Sequence, residues 1–429
     1  MFPQELVDRF VDEVAVGQRR RYSLPPDTRG DLRSCSLAAR SFRSRSQGHL
    51  LKRASLVITR GQTESEGVRK LREVMETSET LRRCIVCLNI QFDAIDPLNV
   101  DDESAEWQFQ DENLPHVIAS LTEIRRLHIR RTYTRVVGWD HLSEAIKTAL
   151  RNTRFTAPHL SSLLLYGISI SPHDLAETWK SIKELTLQGL EMNLGEEMSE
   201  NALSRSILEY RLEKLVLHGR EFPLHLALQN RQVLGSLRQL MDNLWGHGPD
   251  SIRQTWNVIH ITSESLVTLN IGECFITSIR PRFMTMDKFP SLRHLVIRDE
   301  IIGTKTFLDE VYPFFKLVNP TSTSKLESLE LDLRWILPIG SNYSHEEELL
   351  RPSNGWSQLD ALLTSSQYPH LRDVTMNICL SACWDLRTEE PERFTRLWNI
   401  YYHLESALVP LLHSSDSIDL DFDPAIGRH

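Results

Sequence analysis

The stretch LVTLNIGECFI, Leu266 to Ile276, limits the fold more tightly than any other part of this chain. It runs apolar residue, two others, apolar, one other, apolar, two others, Cys, one other, apolar. Leu266, Leu269 and Ile271 then point inward from a short strand and its lead-in, Cys274 turns the chain, and Ile276 packs below the turn. A unit with one apolar face and nothing of its own to bury it against requires neighbours of the same kind. The spacing recurs at Leu160/Leu163/Leu165, Ile182/Leu185/Leu187, Leu212/Leu215/Leu217, Leu292/Leu295/Ile297 and Leu326/Leu329/Leu331. Weaker copies stand at Leu81/Cys84/Val86, Ile124/Leu127/Ile129 and Leu371/Val374/Met376. With 41% of the chain apolar, one match decides nothing, but this ordered series, with Pro158, Pro290 and Pro369 in several lead-ins, argues for a period.

The intervals run from 22 residues (Leu160 to Ile182) to 54 (Leu212 to Leu266), which excludes a uniform array. The expected fold is α/β: an irregular leucine-rich-repeat solenoid, a curved parallel sheet with outer helices, over 55–429, preceded by a small N-terminal helical bundle over 1–54. Within that reading LVIT at Leu56–Thr59 is the first strand, Val68, Leu71, Val74 and Met75 mark a helix, and Leu81 to Ile90 is the next strand. Asp93 to Glu112, with eight acidic residues and no Lys or Arg, reads as a solvated acidic insertion. Further helices are expected at Asp140–Asn152 and Gln232–Trp245, and a degenerate repeat at Leu224–Leu228 fills the long gap. Phe394, Leu397, Trp398, Tyr401, Leu404 and Leu408 share one helical side, and SIDLDFD after them alternates as a strand, so helix and strand close the C-terminal end.

Charge divides the chain. Its formal net charge is −9, yet Met1 to Arg60 holds twelve Arg and Lys against six Asp and Glu, a basic module on an acidic body. That balance gives no case for nucleic acid or an anionic membrane as partner. Six cysteines are too few for a disulfide scaffold at 429 residues, the first fourteen residues are acidic and amphipathic, and no long apolar run spans a bilayer. A reducing compartment, cytoplasm or nucleus, is the expectation.

The N-terminal module reads as three short helices. Leu6, Val7, Phe10, Val11 and Val14 form a helical stripe behind Pro3; Asp31 caps a second helix bearing Leu32, Cys35, Leu37 and Ala38; a third runs from Arg45 to Lys52. FPQELVDRFVDEV followed by DLRSCSLAARSFRSRSQGHLLKR resembles the F-box-like motif of many fungal proteins, those of mushroom-forming fungi above all, over Phe2 to about Arg53. The match rests on the apolar-Pro pair, the stripe, Leu-x-x-Cys-x-Leu and the aromatic Phe42; Phe42 stands where Trp is common, and the basic Val16–Gly30 interval is longer than a compact loop. The resemblance implies docking of a Skp-type adaptor, and through it a cullin-RING ubiquitin ligase, by Pro3, Leu6, Val7, Phe10, Leu32, Cys35, Leu37 and Phe42. It also implies that the repeats hold a protein target. The alternative reading of the same helices is a cap over the open end of a repeat scaffold outside the ubiquitin system.

No catalytic constellation emerges. GxGxxG, P-loop, HExxH and GxSxG signatures are absent, and no cofactor is implied, so the chain reads as non-enzymatic. Cys84 with Cys87, and Cys379 with Cys383, raise a zinc site, but in the expected strand Cys84 and Cys87 point to opposite faces. His247 and His345 lack a second His at helical spacing and read as loop residues. The outward strand positions form a concave face: Arg126, His128 and Arg130 are basic, Leu164, Tyr166, Val216 and Val296 apolar, and Glu330, Asp332 and Asp373 acidic. Such a gradient suits a protein or peptide ligand, the alternative being an ordinary solvated sheet face.

Overall fold

A computed structural model describes residues 4–16, 26–38, 40–93, 109–131, 137–170, 182–189, 212–218, 234–243, 249–272, 285–302, 314–316, 323–337, 354–382 and 419–428. The chain divides into two compact units, Met1–Tyr210 and Arg211–His429. The first begins with helices α1 (Gln4–Val16), α2 (Pro26–Ala38) and α3 (Arg40–Leu51). Then come β1 (Arg53–Thr59), α4 (Glu66–Thr77), α5 (Glu79–Cys84), β2 (Cys87–Asp93), α6 (Leu114–Ser120), β3 (Arg126–Arg131), β4 (Val137–Gly138), α7 (Glu144–Thr156), β5 (Ser162–Tyr166), β6 (Ile168–Ser169) and β7 (Glu184–Gln188). Strands β1, β2, β3, β5 and β7 pair in that order, all parallel. The matched positions Leu56, Ile90, Ile129, Leu165 and Leu187 form one buried row.

The second unit contains β8 (Lys214–His218), β9 (Gln239–Asn243), α8 (Pro249–Thr262), β10 (Thr268–Ile271), β11 (His294–Ile302), β12 (Ser328–Leu337), α9 (Asn354–Leu363), β13 (Asp373–Ala382) and β14 (Asp419–Arg428). These strands also pair in parallel and in chain order. Their first inward row, Leu215, Leu240, Leu269, Leu295, Leu329 and Val374, is buried throughout. One hydrogen-bond device recurs at most lead-ins among the described residues: a carbonyl just before one strand accepts two successive N–H groups from the next. Lys52 O takes Val86 N and Cys87 N, Val86 O takes Arg125 N and Arg126 N, and Arg238 O takes Val267 N and Thr268 N. The irregular lead-in backbone is thereby satisfied at these steps, which lets it lie against a core. Parallel, one strand per period, with Leu at fixed register, this is leucine-rich-repeat-like architecture in each unit.

Several expectations need correction. Leu81 and Cys84 lie on helix α5, and the strand begins at Cys87; the repeat reads Ile85/Leu88/Ile90, all buried. Apolar residues three apart fit a helix turn as well as a repeat, and here Ser78 Oγ accepts Leu81 N at 3.3 Å and the Glu79–Arg83 pair closes at 2.6 Å, both helix-forming contacts. The converse error falls at Gln232–Trp245, where Leu234, Leu237 and Leu240 suggest a helix but β9 forms. The missing repeat is therefore Leu237/Leu240 with Asp242 in the third slot, while Leu224–Leu228 lies outside the described residues. The second helix starts at Pro26, so Asp31 is inside it and does not cap it; the third starts at Arg40. The helix expected from Asp140 starts at Glu144, where Ser143 Oγ accepts Ile146 N at 3.4 Å.

The acidic stretch is not solvated throughout. Residues 94–108 lie outside the described set, but Asp93 ends β2, Phe109 is fully buried against Phe92 with ring centroids 4.8 Å apart, and Asp111 is buried. The Asp111 carboxylate accepts Ser65 N at 2.7 Å, Asn113 N at 3.0 Å and Leu114 N at 2.9 Å, joining the start of α4 to the start of α6. An acidic residue is kept here as an acceptor for backbone donors, not as surface charge. The expected C-terminal helix lies outside the described residues, as do Cys274, His247, His345 and Cys383.

Candidate functional site

Two surfaces carry the residues singled out in the sequence. On the N-terminal helices the apolar residues divide. Val7, Val11 and Leu32 are buried between the helices, whereas Leu6, Phe10 and Leu37 are exposed by 54%, 55% and 80%. Cys35 is a half-buried free thiol, Phe42 is half-buried with its ring edge-on to Phe10 at 6.1 Å, and Pro3 lies outside the described residues. The module is fixed by Asp12, whose carboxylate receives Arg45 Nε and Nη2 at 2.7 Å each and His49 Nε2 at 2.8 Å. The Arg45 bond first, then the His49 bond, hold the Asp12 carboxyl well below the usual range. Helix α3 in turn packs on α5: a Cβ on Gly48 would stand 3.6 Å from Cys84 Sγ. Cys84 thus faces α3 and Cys87 opens β2, and no cluster of metal-ligating side chains occurs among the described residues.

The second surface is the strand face opposite the Leu rows. In the first unit, register aligns Arg53, Cys87, Arg126, Ser162 and Glu184; then Ser55, Asn89, His128, Leu164 and Thr186; then Val57, Gln91, Arg130, Tyr166 and Gln188. Burial first, and then the Arg53, Arg126 and Arg130 guanidiniums, push the His128 imidazole down to about 4. Burial also pushes the Cys87 thiol up, against the opposing effect of Arg53. Arg130 Nη2 donates to Gln91 Oε1 at 3.0 Å. Asn89 is 6% exposed; its Nδ2 donates to Ser55 Oγ at 3.3 Å and its Oδ1 accepts nothing among the described residues. Tyr166 stacks beneath Arg131, 5.9 Å from the ring centre. Gly167, at φ +64°, makes that placement possible, because a Cβ there would overlap the Arg131 side chain.

In the second unit the expected residues behave differently. Val216 is buried, not exposed, and Val296 is half-buried. Glu330 and Asp332 stand 3.7 and 3.5 Å from Arg298 of the preceding rung, so this acidic pair is answered within the sheet. Asp373 is exposed and in register with Asp419; Asp421 and Asp423 follow at alternate positions of β14, opposite Thr375 and Asn377. The sequence reading missed Arg53 and Asn89 as face residues. Beginning β1 at Arg53 instead of Leu56 would have aligned Arg53 with Arg126.

No family model and no curated protein matches this chain. Among solved structures, the crystal structure of a TLR13–ssRNA13 complex aligns over 78% of this chain at 15% identity and a TM-score of 0.32; the alignment spans 39% of that chain.

Proposed function

We propose that this chain is a non-enzymatic recognition subunit whose repeats hold a protein target, and whose N-terminal F-box-like helices dock a Skp-type adaptor of a cullin-RING ubiquitin ligase. The observation that carries the reading is the split on α1 and α2: Val7, Val11 and Leu32 hold the bundle together while Leu6, Phe10 and Leu37 face solvent. A helix that served only to close the bundle has no use for three large exposed apolar side chains, whereas apolar anchors are what a docking helix offers. The mechanism is positional: the target is held beside a ubiquitin-charged enzyme at raised effective concentration, and no residue here performs chemistry.

The test is co-expression with a fungal Skp-type adaptor followed by size-exclusion chromatography. Leu6→Asp with Leu37→Asp, both at exposed positions, abolishes co-elution while the thermal melt stays unchanged. Co-elution that survives the double substitution overturns the docking assignment. A second reading, a repeat scaffold with the helices as cap, is favoured by the packing of α3 on α5 at Gly48 and Cys84. In that case the wild-type chain elutes alone.

A further inference from the structure

We propose that the outer edge of β1 takes an extended segment of the protein target as an added strand, apolar in its middle and acidic at its ends. The inference deepens the target-binding reading of the repeats and rests on it.

Strand β1 opens the strand order of the first unit and pairs on one side only, with β2. Its backbone parity is fixed by two bonds. Lys52 O accepts from Val86 and Cys87, and Arg60 N donates to Asp93 O at 3.0 Å, so the even-numbered residues between them turn their N–H and C=O groups toward β2. Ser55 and Val57 therefore aim their donors and acceptors at the outer edge, and among the described residues no group answers them. Such an edge is a template for another strand unless charge, proline or a bulge guards it. RASLVIT, from Arg53 to Thr59, has no Pro, no charged residue after the first, and an unbroken register against β2. By contrast β14, which ends the strand order of the second unit, carries Asp419, Asp421, Asp423 and Pro424. One terminal strand is guarded and the other is not.

The side chains of β1 say what the added strand carries. Val57 is 46% exposed on the outward face, with Ser55 exposed beside it, while Leu56 and Ile58 are buried on the other face. An added strand stands about 4.8 Å away, close enough for a β-branched side chain to cover Val57. Lys52, exposed just before the strand, makes no ion pair among the described residues, and Met1 to Arg60 is basic overall, so an acidic residue beside Lys52 completes the match. A second copy of this chain fits less well. Two-fold symmetry requires antiparallel pairing, and the register that matches all seven residues of β1 sets Lys52 opposite Arg60 at both ends.

The test is fluorescence anisotropy with the full chain and a short labelled peptide of alternating Val and Thr with Glu at both ends. Two N-methylated forms, each blocking one alternate set of amides, keep every side chain and remove the donors along one edge. One form loses at least about tenfold in affinity and the other stays within about twofold. Val57→Pro, which removes an N–H that β2 does not use, weakens the parent peptide by at least about tenfold while the thermal melt holds. Val57→Thr, which keeps that N–H, stays within about threefold. Lys52→Glu weakens binding by about threefold, a difference that raised salt removes. The inference is overturned if the peptide does not bind, if both N-methylated forms bind as the parent does, or if Val57→Pro leaves affinity unchanged. A wild-type dimer that Val57→Pro dissolves, without peptide binding, assigns the edge to a second copy and overturns it too. Peptide binding that ignores Val57→Pro but falls on Arg126→Glu keeps the target-binding reading and overturns the edge alone. Adaptor co-elution reads the N-terminal helices and is intact in Val57→Pro.

Discussion

The β3 rung and the β11–β12 rungs are built on the same spacing, and their inward rows are equally buried, yet their outward faces end in opposite electrostatic states. Around β3, Arg53, Arg126 and Arg130 act on a neutral imidazole, and among the described residues no carboxylate is in reach of Arg126 or Arg130. Around β11 and β12, Arg298 stands between Glu330 and Asp332, and the charges close on themselves. A charged strand face is thus a candidate for binding only where the sheet has not already supplied the counter-ion. Charge counted along the sequence does not separate the two cases, because the partner sits one strand away and some thirty residues off.

The comparison can be pressed at four points. If the two units share one kind of core, Ile129→Ala and Leu269→Ala, both at fully buried positions, each lower stability by about 2–5 kcal/mol in urea unfolding. A large disparity would show that the common spacing conceals different packing. Asp111→Ala removes the acceptor for three backbone donors in the first unit alone and lowers stability by about 3 kcal/mol; a loss below about 1 kcal/mol would mean that water replaces the carboxylate.

Acid should weaken the first unit at His128. The unfolded chain protonates this imidazole below about pH 6.5, but the folded chain does so only near about 4. Between those values the unfolded state binds more protons, so stability falls as pH falls through the window. His128→Leu flattens that slope in pH-dependent melts, and the protection factors of the β3 amides, taken against the intrinsic exchange rate at each pH, fall from pH 7 to pH 5 more than those of β10. Asp12 acts lower: its depressed carboxyl contributes stability that is complete above about pH 4 and is lost as pH falls below it. The smallest effect is Arg298→Ala against Arg126→Ala. The first costs less than about 1 kcal/mol, as an exposed ion pair does, and the second costs nothing or stabilises slightly, a difference that shrinks in high salt.

Much of the repeat core was legible because its signal is local. Leu163, Leu165, Leu269, Ile271, Leu329, Leu331, Val374 and Met376 occupy the inward rows their spacing assigned. The two misassigned elements share one cause: three-residue spacing is common to a helix turn and to the repeat lead-in. Leu81 and Cys84 went to a helix because Ser78 and Glu79 support one there, and Leu237 and Leu240 went to a strand although Asp242 breaks the apolar pattern. Of the residues on the outward strand face, Arg126, His128 and Arg130 were legible from strand alternation. Arg53 and Asn89 were not, since their role depends on what the neighbouring strand places beside them.

The sequence by itself determined the period, the parallel direction of the strands and, at most strands, which side chains face the core, because an apolar residue at a fixed offset has few other places to go. Only the tertiary structure decided how polar groups are answered. Asp111 became a buried acceptor within a stretch that reads as solvated, Glu330 and Asp332 were answered by Arg298, and Asn89 Oδ1 found no partner among the described residues. The physical reason is reach: hydrophobic burial follows from each residue's own position, whereas hydrogen bonds and ion pairs form over a few ångströms between groups that only the register of the folded sheet brings side by side.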